Sequence, residues 1–203
     1  MCWNAKVSLN TFIYGTIAAI IVLILGQNNI LAILAVYTIS LIQLMEYFAW
    51  NNIDNPRNLK IISKIGLLIL GLQVLLINFI YLEGFELNIM ITLLICLLII
   101  VYLYNETNDK FYMEIGRNGH LIWHWLDLPI ILVFGLLLFW LYGPYKNYEK
   151  KGINISFIYI LITVIISLYF YYNYKTWGSM WCYLGNIIWI YIICNSIFKL
   201  LID

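Results

Sequence analysis

The chain has 203 residues, of which 64% are hydrophobic and 10% charged. A soluble domain averages ~25% charged residues, and a soluble fold of this length has too little interior to hide so much apolar surface. Eleven Lys and Arg against ten Asp and Glu leave a net charge of +1, which excludes an electrostatic case for nucleic acid.

Lipid is the solvent that fits this composition, and a helix crosses its ~30 Å hydrocarbon layer with ~20 apolar residues. Residues 1–6 lack the charged region and small-residue cleavage site of a secretory signal, so the first apolar segment is expected to stay as a span. Residues 7–45 carry no charge and are long enough for two helices; Gly26, Gln27, Asn28 and Asn29 divide them into spans 8–26 and 30–53. Pro56, in a polar loop, ends the second. The third span is expected over 60–82 and, after a turn at residues 83–86, the fourth over 87–104. A polar segment follows over 105–119. The fifth span is expected over 120–142, stopped by Gly143 and Pro144. A basic loop at 145–152 precedes the sixth span, 153–174, and the seventh covers 177–201.

The expected fold is therefore all-α, a polytopic transmembrane bundle of about seven spans in one domain (residues 1–203), with six and eight as alternative counts. Continuous apolar runs exclude a strand barrel. On the N-terminal side lie Lys6, Arg57, Lys60, Lys64, Lys110, Arg117 and Lys175; on the other lie Lys146, Lys150, Lys151 and Lys199. That excess predicts a cytosolic N-terminus. Trp3, Trp50, Trp123, Trp125, Trp140 and Trp177 fall near span ends, as an interfacial belt does. Cys2, Cys96, Cys182 and Cys194 form no CxxC pair and indicate no compartment.

An ionisable group inside a span is costly, which makes it a candidate for function. Glu46 shares a helical face with Gln43 and Trp50. It reads either as an interhelical hydrogen bond, to Gln73 or Asn186 for example, or as a proton, ion or substrate site. A second group is His120, His124 and Asp127. On a continuous helix their i, i+4, i+7 spacing puts two imidazoles and a carboxylate on one stripe, a donor set suited to a divalent metal, with Glu46 as a further ligand. The competing reading places them at headgroup level with no metal, and no HExxH motif supports hydrolysis. No other cofactor is called for. Gly178 and Gly185 are expected to allow close helix contact. No P-loop, GxSxG motif or selectivity-filter sequence is present.

Four segments together resemble an uncharacterised multi-pass membrane-protein family of nucleocytoplasmic giant viruses: Met1–Phe12 (MCWNAKVSLNTF), Gln43–Trp50 (QLMEYFAW), Asn118–Trp125 (NGHLIWHW) and Gly178–Cys182 (GSMWC). The resemblance implies a viral protein of the virion's internal membrane or of a host membrane, and carries no activity with it. Three functions remain open. The first is a small channel or transporter, with Gln43, Glu46, Gln73 and Asn186 forming a polar pathway and Asp127 as a further intramembrane candidate. The second is a structural or host-interaction protein. The third is a metal-dependent, lipid-modifying enzyme built on His120, His124, Asp127 and Glu46. The expected partners are the bilayer, a small ion or small molecule, and further copies of the chain.

Overall fold

The structure, a computed structural model, describes residues 4–26, 29–151 and 155–202. The expected features at Cys2, Trp3, Gln27, Asn28, Gly152 and Ile153 lie outside the described residues.

Three of the first helices begin on an asparagine. In α1 (Ala5–Ile24) the Asn4 side chain accepts from the Val7 N–H, and in α2 (Ile30–Trp50) Asn29 accepts from Ala32. In α3 (Pro56–Tyr81) Asn55 accepts from Asn58, with Pro56 in the first turn. Each cap satisfies one of the backbone donors that a helix start leaves open. α4 (Gly84–Thr107) follows after a break of two residues.

The fifth span does not begin at His120. Met113–Ile115 (β1) and Leu121–Trp123 (β2) form an antiparallel hairpin, His124–Leu126 is one 3-10 turn, and α5 starts at Ile130. Pro129 disfavours helical geometry in the residue before it, and Asn118-Gly119, with φ +78° at Gly119, supplies the turn. At its other end α5 (Ile130–Lys151) runs through Gly143 and Pro144 instead of stopping there. A proline removes one helical hydrogen bond, a loss tolerated within a bundle when neighbouring groups compensate. Here Asn78 of α3 donates its side-chain amide to the Phe139 carbonyl at 2.9 Å, beside the proline turn.

α6 (Ile155–Tyr171) passes into a 3-10 turn at Tyr172–Tyr174, and Lys175 then adopts φ +55°. The last span is broken into α7 (Trp177–Gly185) and α8 (Ile188–Ile202) at Asn186 and Ile187.

Among the described residues, six segments are long and apolar enough to cross a membrane: α1 to α4, Ile130–Asn147 of α5, and Trp177–Phe198 of the α7–α8 pair. α6 is the shorter seventh crossing. α3 packs against α2, α4 and α5, and α1 returns against α8. The distribution of polarity agrees with lipid surroundings. Ile17, Ile24, Leu68, Phe85, Ile131, Leu138 and Phe170 point outward, while Ser8, Ser40, Gln43, Glu46, Ser63, Gln73, Asn105 and Ser167 are buried. Water would reverse that arrangement. The chain is a multi-pass integral membrane protein.

Alternating passes put the start of α1, Asn51–Asn55, the hairpin and Tyr172–Thr176 at one end of the bundle, the hairpin face. The start of α2, the end of α3 and the end of α8 lie at the opposite face.

Candidate functional site

The α2 stripe enters the core as its spacing predicts. Gln43 and Glu46 are both fully buried in the hairpin-side half of the bundle. Across from them stands α7, which packs on α2. Its buried Cys182 lies within electrostatic range of the Glu46 carboxylate. Ser63 on α3 and Ser179 on α7 are buried in the same half. An ionisable group buried within a span is costly, so its place in the core requires polar surroundings.

Asn186 is used differently. Its side-chain oxygen accepts from Ser40 Oγ at 2.8 Å, its amide donates to the Cys182 carbonyl at 2.9 Å, and Trp189 Nε1 donates to the same Ser40 Oγ at 3.1 Å. These bonds join α2 to the break between α7 and α8. α1 closes over them at Gly15, where a Cβ would sit 2.0 Å from Ser40 Oγ. Asn186 thus holds the elbow of the last span, bonded to Ser40 and to the Cys182 carbonyl.

The hairpin seals its face of the bundle. Leu121 and Trp125 are fully buried, and Trp123 stacks on Trp125 with 5.2 Å between ring centroids. Trp125 reaches α3 at Gly66, where an added Cβ would lie 3.0 Å from its ring. Gly178 of α7 meets Leu126 and Trp123, at 2.7 and 3.1 Å from a Cβ. Close contact at Gly178 is therefore made with the hairpin, and Gly185 meets Ile39 of α2 at 3.0 Å.

His120, His124 and Asp127 are not brought together, because no helix carries them. His120 is buried against the Tyr171 ring, edge to face at 5.7 Å. His124 stacks on Tyr112 at 4.0 Å and places Nε2 2.9 Å from the Glu114 carboxylate. Asp127 faces Lys175 at 2.8 Å and Lys110 at 3.9 Å. Among the described residues no group of three or more His, Cys, Asp or Glu stands where it could hold a metal. The anticipated metal stripe is corrected accordingly: its spacing argument required a helix that Pro129 and the Asn-Gly turn prevent. Burial works against the Asp127 carboxylate, but Lys175, then Lys110 and His124, outweigh it and hold the carboxyl below its ordinary range. Bonding to Asp127 correspondingly raises the Lys175 ammonium. Asp127 lies outside the spans, so it belongs to the docking of the hairpin and not to an intramembrane pathway.

A cavity of about 250 Å³ occupies the other half of the bundle. Along α2 it runs from Asn29 to Ile39, roughly 15 Å at ~1.5 Å per residue. Gln73 and Tyr81 of α3, Tyr159 and Thr163 of α6, and Asn195 of α8 contribute polar groups to its wall. Asn29, exposed at the start of α2, sits at its rim, and Tyr191, just past the α7–α8 break, lines its wall at mid-span. Its inner end is closed by Trp140, Trp181 and Cys182, with the two indoles 4.8 Å apart. Beyond that septum lies a much smaller apolar void of about 20 Å³, walled by the same three residues together with Trp123 and Trp177. Cys182 therefore lines the cavity and also stands within electrostatic range of Glu46. Gln73 is a cavity residue, whereas Gln43 and Glu46 lie about one and two turns beyond the cavity's Ile39 end. The sequence reading missed the Trp140–Trp181 septum and Tyr159, whose hydroxyl donates to the Leu184 carbonyl.

Comparison with protein-family models, with curated proteins and with solved structures finds no match at any of the three levels.

Proposed function

We propose that the protein is a small membrane transporter or channel whose binding chamber is the cavity between α2, α3, α5, α6 and the α7–α8 pair. One observation carries this reading: the chamber reaches exposed Asn29 at the start of α2 and ends inside the bundle on a tryptophan septum, with a buried carboxyl group beyond it. A pocket that reaches one side only, with polar groups at mid-membrane depth, is what an alternating-access or gated pathway needs in one of its states. Gln73 and Asn195 supply donors and acceptors along the wall. Glu46 supplies the charge that biases the pathway toward cations or protons. The hairpin and its tryptophans form the closure on the far side.

The segments resembling the giant-virus family support a setting in the virion's internal membrane or a host membrane, with the N-terminus in the cytosol. Purified protein in proteoliposomes should give cation or proton flux above empty vesicles, and Glu46→Gln should reduce it. Wild-type flux no greater than that of Glu46→Gln would sink the proposal.

A further inference from the structure

The chamber's wall sets aromatic rings among aliphatic side chains, a lining that selects among ligands. Tyr81, Trp140, Tyr159, Trp181 and Tyr191 line it, and none of its described lining residues carries a charge. The fully buried Glu46 carboxyl lies within electrostatic range of Cys182, a residue of the chamber's inner end. Aromatic faces are electronegative and attract cations, most strongly where water is excluded. A cation in the chamber would favour the ionised form of Glu46, and a low-dielectric interior screens that pairing weakly. An anion would meet no Lys or Arg in this wall. At about 250 Å³ the chamber also falls below the ~300–1,000 Å³ of sites for drug-sized ligands.

We propose that the chamber binds a small organic cation through a tertiary or quaternary ammonium group, held by the rings of Trp140 and Trp181 and by the field of Glu46. This rests on reading the cavity as a ligand chamber, but not on transport through it. The remaining polar groups, Gln73, Thr163 and Asn195, suit a hydroxyl or carbonyl attached to such a cation, since amides and hydroxyls both donate and accept.

The test is a binding titration on the full chain in nanodiscs, with choline and its uncharged isostere 3,3-dimethyl-1-butanol. Choline should bind saturably and the isostere at least about tenfold more weakly, the equivalent of one ~1.4 kcal/mol interaction. Glu46→Gln should weaken choline by a similar factor and leave the isostere unchanged. Trp181→Leu should weaken choline more than Trp181→Phe does, which keeps the test open if Glu46→Gln fails to fold. Equal binding of the two probes, or no binding of either, overturns the assignment. Choline binding without any flux overturns the transport reading alone; flux without choline binding overturns this one alone.

Discussion

Gly15 lies where α1 presses on the buried network of Ser40, Asn186 and Trp189. Replacing it with alanine puts a methyl 2.0 Å from Ser40 Oγ, 2.7 Å from Ser40 Cβ and 3.2 Å from Trp189 Nε1. Ser40 cannot turn aside cheaply, because its hydroxyl both donates to Asn186 and accepts from Trp189. Overpacking of this kind costs ~1–3 kcal/mol, and disturbing two intramembrane hydrogen bonds adds ~0.6 kcal/mol each. Alanine's better helix propensity returns ~1 kcal/mol. Gly15→Ala should therefore destabilise the bundle by roughly 1–3 kcal/mol. Unfolding in mixed detergent micelles, followed by circular dichroism, measures it. Ser40→Gly in the same chain removes the clash, so a double-mutant cycle should show coupling of about 1 kcal/mol or more. If Gly15→Ala equals or exceeds the wild type in stability, the account of the α1–α2–α8 contact is wrong.

Trp125 is fully buried at Gly66, so Trp125→Ala should cost ~3–5 kcal/mol and loosen the hairpin, seen as faster trypsin cleavage after the exposed Arg117. The Asp127–Lys175 pair should make hairpin docking flat with pH across the neutral range. Asp127 is held below its ordinary 3.8, so its contribution is complete above that value and lost as pH falls through the depressed one. Lys175 is raised above 10.5, so its contribution is complete below that value and lost as pH rises through the raised one. Tryptophan emission across a pH titration tests both limbs, and a transition within the neutral range would contradict this account.

The spans were legible in the sequence because charge is so sparse that each polar interruption marks a turn. The inward face of α2 was legible for the same reason, since Gln43 and Glu46 stand one turn apart in an otherwise apolar helix. The hairpin was not, because residues 121–128 are apolar enough to pass for the start of a span, and hydropathy cannot tell a buried hairpin from a helix. The corrective signals were local: Gly116 and Asn118-Gly119 for the turn, and Pro129 for the true helix start. Gly143-Pro144 misled in the opposite direction. A proline stops a helix in water more reliably than in a bundle, where Asn78 from a neighbouring helix can bond the backbone beside it. The cavity had no local signal, because its wall is assembled from Asn29 to Asn195, residues far apart in the chain.

The most direct test of the central claim concerns whether water reaches the chamber from one face. Gln73 is 2% exposed yet lines the wall. In a chain with its four cysteines replaced, Gln73→Cys should react with a membrane-impermeant thiol reagent added at the face where α2 begins, and not at the hairpin face. Reaction from the hairpin face, or from neither face, would contradict a chamber open on one side and closed by the Trp140–Trp181 septum.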